Sequence, residues 1–184
     1  MGAVKAPVIA VVGPSGVGKD SLMRALAEAD PSLCLMQRVI TRDPEAGGED
    51  YVPVTEARFA GMVEQGAFAL HWQAHGLSYG IPARIEELRE GSSGVLVNFS
   101  RSVLLQAQEL FGDFVVLSVT ATPEVLAARL AARGREDAAT QARRLSQAGK
   151  ALPEGLHRVV RIDNSGPLTD AVETALAALH PVSA

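Results

Sequence analysis

The run Gly13-Pro14-Ser15-Gly16-Val17-Gly18-Lys19 places glycines at turn positions and ends in a lysine, the composition of a loop that cradles phosphate groups. In such a turn successive backbone N–H groups curl around phosphate oxygens. The helix that follows adds the positive end of its dipole, and Lys19 reaches the outer phosphates of ATP. Asp20 follows the lysine where a Mg2+-ligating hydroxyl is usual, with Ser21 one place late. The apolar run Gly94 to Asn98 ends in an amide, where many phosphate-loop proteins carry the carboxylate that holds the metal's water shell. The two departures are reciprocal, so Asp20, and Asn98 through water, are the expected Mg2+ residues. A role for Asp20 in facing the helix dipole is the competing explanation.

Arg129, Arg133, Arg135, Arg143 and Arg144 fall within 16 residues and cross a helix break. Phosphoryl transfer concentrates negative charge on the moving group, and guanidinium groups on a closing lid stabilise it while excluding water. Such a run more often forms a solvated basic helix face. Here a phosphate loop lies upstream, which supports a lid with Arg129, Arg133, Arg135 and Arg144 as catalytic cations and Arg133 also touching the nucleotide. Near the C-terminus Asn164 stands just after an apolar run, at the edge where parallel sheets bind ligands, placed either to hydrogen-bond an adenine or simply to form a turn.

These residues need a scaffold, and the apolar patterning supplies one. Val8 to Val12 reads as a buried strand and Lys19 to Ala29 as the helix after it. Leu33 to Ile40 reads as one further strand, Arg42 to Asp50 as a turn-rich loop, and Thr55 as the N-cap of a helix through Glu64. Phe68 to Ala74 is strand-like, His75 to Gly80 a turn, and Pro82 to Glu90 helical with Gly91 just past its end. Gly94 to Asn98, Phe114 to Thr120 and Val159 to Ile162 are strands. Ser100 to Leu110, Pro123 to Arg133, Ala138 to Ala148 and Leu168 to Leu179 are helices. The alternation predicts an α/β fold, a parallel sheet flanked by helices on both faces.

With 184 residues, 47% apolar and 21% charged, the chain reads as one domain, comprising a core, an acceptor-binding insertion at about 38–90 and a lid at about 129–144. A net charge of −4 argues against a nucleic-acid or membrane surface as partner, although the cations are skewed to 14 Arg against 3 Lys. The lone Cys34, within an apolar run, reads as a small buried hydrophobe. With no apolar stretch of membrane-spanning length and no signal segment, the expected location is the cytoplasm.

With these residues in view, the chain resembles the guanylate kinase branch of the nucleoside monophosphate kinases, a P-loop NTPase fold, over nearly its whole length. The matching pieces are GPSGVGK, Thr41-Arg42 with Gly48-Glu49-Asp50-Tyr51, His75-Gly76 with Tyr79-Gly80, the RLAARGR segment, and Asp163-Asn164. The resemblance implies Mg-ATP as donor and places Arg42, Tyr51 and Tyr79 around the acceptor's phosphate. The residues that read guanine in that family do not carry over. They align here with Leu70, Ile81, Arg38 and Ser100, and an arginine of the acceptor loop becomes Glu45. A base-reading site without hydrogen-bonding groups loses orders of magnitude in discrimination.

Basic or aromatic residues fill the space instead: Arg38, His71, Trp72, His75 and Arg101. Together with GKDS, VITRD, HWQAHGLSYG, VNFSR and RGRE, this is similar to the ribose 1,5-bisphosphate phosphokinase branch of the fold, which makes 5-phosphoribosyl 1-diphosphate during phosphonate use. The expected acceptor is a phosphorylated sugar, met by Arg38, Arg42, Tyr51, His71, His75, Tyr79, Ser100 and Arg101. A nucleoside monophosphate kinase with altered base choice is the alternative enzyme. A catalytically silent binding module is a further alternative, opposed by the retention of Lys19 and the arginines.

Overall fold

The computed structural model describes residues 4–134 and 137–180. Arg135, expected in the lid, lies outside the described residues. Five parallel strands form the main sheet in the order β2-β7-β1-β8-β9: β1 (Val8–Val12), β2 (Leu33–Met36), β7 (Gly94–Asn98), β8 (Phe114–Thr120) and β9 (Val159–Asp163). Every residue of β1 and β7 is buried, as expected for strands covered on both faces. Period two divides the core. Val8, Ala10 and Val12 pack with Val95, Val97 and Val116 on one face. Ile9 and Val11 pack with Leu96, Val115 and Leu117 on the other, against α1 (Lys19–Ala29) and α7 (Leu168–Leu179).

A second, four-stranded sheet has the order β4-β3-β6-β5: β3 (Arg38–Ile40), β4 (Tyr51–Pro53), β5 (Phe68–Ala74) and β6 (Leu77–Pro82). This sheet corrects three expectations. Leu33 to Ile40 is not one strand. The chain leaves the main sheet after Met36 and resumes at Arg38 in the other sheet, a change of partner invisible to local apolar patterning. The segment from His75 to Gly80 is a turn only at His75-Gly76, where φ is 52° and 73°. Two consecutive positive φ values suit a tight hairpin, and β6 then pairs antiparallel with β5. Pro82 ends β6 rather than starting a helix. The ladder continues through Ala83 N–H donating to Ala67 O at 2.9 Å, and α3 spans only Ile85–Glu90.

The remaining helices follow local signals. Thr55 Oγ1 accepts from Arg58 N–H at 3.1 Å and starts α2 (Glu56–Glu64). Asp137 caps α6 (Ala138–Ala148) by accepting from Thr140 N–H at 2.8 Å. Pro123 opens α5 (Pro123–Ala132). The expected helix from Ser100 begins as a 3-10 turn at Arg101–Val103 and becomes α4 at Leu104–Phe111. Cys34 is half-buried against the core rather than fully enclosed. Among the described residues no helix is long and apolar enough to cross a membrane.

The parallel strands deliver their carboxyl ends to one edge, where β1 runs into the glycine-rich loop, β7 into Ser100 and β9 into Asn164. The second sheet stands beside that edge, held in register where Gly80 meets the Phe68 ring. A Cβ at Gly80 would lie 2.4 Å from that ring. Gly80→Ala is therefore expected to lower stability by about 1–3 kcal/mol in urea denaturation. An unchanged midpoint would show that the ring moves aside without cost.

Candidate active site

The glycine-rich loop is held from behind. Val17 O accepts from Arg129 Nη1 at 3.1 Å and from Asn164 Nδ2 at 2.8 Å, and Arg129 Nη2 donates to Asn164 O at 2.8 Å. Gly18, N-cap of α1, has φ 92°, and a Cβ there would stand 2.7 Å from Asn164 Nδ2, so both conformation and space require glycine. These contacts place two of the expected site residues. Asn164 is 4% exposed, with its amide nitrogen donating into the loop at Val17 O. Arg129 donates to the backbone carbonyls of Val17 and Asn164.

In front of the loop, Lys19 Nζ donates to Gly13 O at 2.7 Å and Pro14 O at 3.3 Å. Burial, and then the nearby Arg38 charge, lowers its pKa to about 8. Asp20 is pushed up to about 6, chiefly by burial and then by Glu49. A cleft of about 680 Å³ opens here, its lining including Asp20, Ser21, Arg42, Glu49, Asn98 and Arg133. Arg144 also lines it and donates from Nη1 to Ser15 Oγ at 2.8 Å, which ties α6 to the loop.

The second sheet builds the other side. Trp72 and Tyr79 stack with ring centroids 5.5 Å apart, and the Arg38 guanidinium lies 4.9 Å from the Tyr79 centroid. Arg38 is 5% exposed, and its Nη2 donates to both Glu49 oxygens at 2.5 and 2.6 Å. Arg42 Nη1 donates to Glu49 Oε1 at 3.4 Å, its Nη2 to the Tyr79 hydroxyl at 3.4 Å, and its guanidinium sits 5.2 Å from the Tyr51 ring. The Tyr51 hydroxyl donates to Asp43 O. Trp72 Nε1 donates to Ser100 Oγ at 3.0 Å. Arg38, Arg42, Glu49, Tyr79 and Ser100, together with His75 and Arg101, line a second cleft of about 1040 Å³, with Trp72 and Tyr51 behind them through these contacts.

His71 is not brought to this group. Strand alternation turns it opposite to Trp72, exposed and 6.4 and 6.3 Å from the Phe59 and Phe68 rings. Glu45 stands on an exposed 3-10 turn, where its backbone N–H donates to Asp43 Oδ1 at 2.9 Å.

The two clefts share Ser15, Lys19, Arg42, Glu49, Asn98 and Arg144, so a group bound in one meets a group bound in the other at these residues. Lys19, Arg42 and Arg144 supply positive charge there, the arrangement that suits phosphoryl transfer. The guanylate kinase family model matches residues 5–179. The chain belongs to the guanylate kinase family. It is 69% identical over 176 residues to the ribose 1,5-bisphosphate phosphokinase PhnN of Ruegeria sp. (strain TM1040), covering 96% of this chain and 93% of the relative. It is 44% identical over 169 residues to the PhnN of Pantoea vagans (strain C9-1), covering 91% and 93%. The crystal structure of guanylate kinase from Anaplasma phagocytophilum shares the fold, with TM-score 0.69 at 17% identity, covering 97% of this chain and 87% of that one.

Kinases of this family use ATP, with Mg2+ as the usual metal. Among the described residues no group of three or more His, Cys, Asp or Glu side chains forms a metal cluster. Mg2+ does not need one, because it keeps much of its water and is bound through one or two carboxylates plus substrate phosphates. Asp20 and Glu49 meet that requirement, since they line one cleft and the Glu49 charge helps to raise the Asp20 pKa.

Glu49 was given no role by the sequence analysis beyond its place in the run Gly48-Glu49-Asp50-Tyr51. The signal was present in its position, directly before Asp50 and Tyr51 in the GGEDY run. Its presence also accounts for Asn98, whose Nδ2 donates to Glu49 Oε2 at 3.2 Å, where an aspartate would set two carboxylates together.

A pKa of about 6 against an ordinary 3.8 means that the fold favours protonated Asp20. That contribution is complete below pH 3.8 and is lost as pH rises through about 6. At pH 7.5 the ionised side chain therefore opposes folding. Asp20→Asn is expected to raise stability at pH 7.5 on the order of 1 kcal/mol, a figure discounted for its partial exposure. Urea denaturation should show the gain shrinking as pH falls from 7.5 to 5, and an equal gain at both pH values would contradict this electrostatic account.

Proposed function

We propose that this chain transfers the γ-phosphoryl group of ATP to ribose 1,5-bisphosphate, giving 5-phosphoribosyl 1-diphosphate and ADP. The observation that carries this reading is the acceptor cleft. Leu70 and Ile81, which stand where guanylate kinases read the base, are 5% and 0% exposed in the core, and the adjoining space holds buried Arg38 over Tyr79. Among the described residues, Glu49 is the only carboxylate lining a cleft that otherwise presents Lys19, Arg38, Arg42, Arg101, Arg143 and Arg144, as well as Lys150. That charge suits an acceptor with more than one phosphate and no base. The 69% identity to the Ruegeria phosphokinase supports the same acceptor, and the PhnN name supports a place in phosphonate catabolism.

The acceptor's 1-phosphate oxygen attacks the γ-phosphorus, the bond to the β-bridging oxygen breaks, and ADP leaves with that electron pair. A phosphate monoester with a second pKa of about 6 is largely ionised at neutral pH, so no general base is needed. Catalysis is then alignment and charge neutralisation. In this reading the backbone of residues 13–18 and Lys19 hold the donor phosphates, while Arg133 and Arg144 reach the transferring group from the lid. Arg42, Tyr51, Tyr79, Ser100 and His75 shape the acceptor site. Asp20, with Asn98 and Glu49 beside it, would hold Mg2+, which shields phosphate charge when bound. Residues 38–90 act as the acceptor-binding region and 129–144 as the lid of a single kinase domain.

The deciding experiment is ADP release from Mg-ATP with ribose 1,5-bisphosphate and, in parallel, with GMP, AMP and dTMP. Turnover is expected with the sugar bisphosphate and to be at least about 100-fold weaker with the nucleotides, the size of discrimination that unpaired polar groups impose. Comparable turnover with GMP would overturn the choice of acceptor.

A further inference from the structure

The acceptor cleft extends beyond the transfer point. From the residues it shares with the donor cleft, it runs past Ser100 and Ser102 to the His75 hairpin, and its far wall is one face of α6. Thr140, Arg143, Arg144 and Gln147 line it, and Lys150 follows just past the helix end, a spacing of three and four that places all of them on one side. Arg101, in the 3-10 turn that follows β7, faces the same wall and donates from Nη1 to Gln147 O at 3.2 Å. Among the described residues no ion pair joins Arg101, Arg143 or Lys150 to a carboxylate. The cleft's own carboxylate, Glu49, is held by Arg38 at the other end. This end of the cleft therefore carries concentrated positive charge, with Asp137 at the start of α6 acting on Arg143 only through its field.

We propose that Arg101, Arg143 and Lys150 form a subsite for the acceptor's second, non-reacting phosphate, so that α6 reads the acceptor as well as the donor. The proposal rests on the sugar-bisphosphate reading above and adds a division of labour to it. Arg144 reaches the donor loop through Ser15, whereas Arg143 and Lys150, on the same helix face, reach the far end of the acceptor. An acceptor lacking the second phosphate leaves these cations unmatched and gives α6 less reason to close. Closure then becomes a specificity step, in which binding energy from a remote phosphate assembles the site and excludes water.

Arg143 and Lys150 are exposed, so their removal leaves the core intact. In the Arg143→Ala/Lys150→Ala double variant, kcat/KM for ribose 1,5-bisphosphate is expected to fall roughly 10- to 100-fold, the effect of losing charge-assisted hydrogen bonds. The KM for ATP should stay within about 2-fold, and Arg143→Lys/Lys150→Arg should retain most of the activity. As competitive inhibitors, ribose 5-phosphate and ribose 1-phosphate separate the subsites. The Ki of the 5-phosphate should rise about 10-fold in the double variant while that of the 1-phosphate is unchanged. Equal changes in both inhibition constants, or a loss confined to the KM for ATP, would overturn the subsite. Absence of wild-type turnover with ribose 1,5-bisphosphate would overturn the underlying reading instead.

Discussion

The site packs cations more closely than they would tolerate alone. Lys19, Arg38, Arg42, Arg101 and Arg144 share the walls of one cleft, where water is partly displaced and like charges repel more strongly than in bulk solvent. Glu49 counters this repulsion. Its side chain is 12% exposed and accepts from Arg38, Arg42 and Asn98. Removing one partner of such a buried pair typically costs about 3–5 kcal/mol, because the remaining charge is stranded. Glu49 raises the pKa of both Lys19 and Asp20, opposing the net lowering at the lysine and adding to the increase at the aspartate, as expected for a negative charge near a cation and another carboxylate. Substrate phosphates bring further negative charge to the same place, so binding answers an electrostatic demand already built into the fold.

The two halves of the site are held differently. The glycine-rich loop is braced by side chains from α5 and from the end of β9, which converge on the single carbonyl of Val17. Such bracing keeps the loop's N–H groups turned to one side and avoids the cost of ordering them when phosphate arrives. The opposite wall belongs to α6, which buries no residue of its own and meets the loop through the Arg144 contact with Ser15. An element with few buried contacts opens at low free energy, which suits the lid role proposed for it.

The acceptor side shows how a cleft changes its ligand without changing fold. The second sheet carries the tyrosines and the Thr41-Arg42 pair, and Leu70 and Ile81, which the family resemblance aligns with base-reading positions, pack into the apolar core. Arg38 lies over Tyr79 and near Trp72, filling with charge and π-surface a space that would otherwise admit a planar base. Ser100 satisfies the indole N–H of Trp72, so this platform is tied to the end of β7 and hence to the main sheet.

Much of this was determined locally and could be read along the chain. The buried strands β1, β7 and β8 announced themselves by unbroken branched-apolar runs, and α2, α5 and α6 by Thr55, Pro123 and the apolar spacing after Asp137, because caps and periodicity act within a few residues. The glycine-rich loop was equally plain, since its chemistry depends on adjacent residues. Tertiary structure alone decided that the chain changes sheets between Met36 and Arg38, and that Leu77–Pro82 is a strand. Strand pairing depends on partners distant in sequence, and local composition says nothing about them. It likewise decided that Arg129 and Asn164 brace the loop and that Glu49 stands at the meeting of the two clefts. A side chain's type states which bonds it can make, but its partners are set by elements that meet only when the chain has folded.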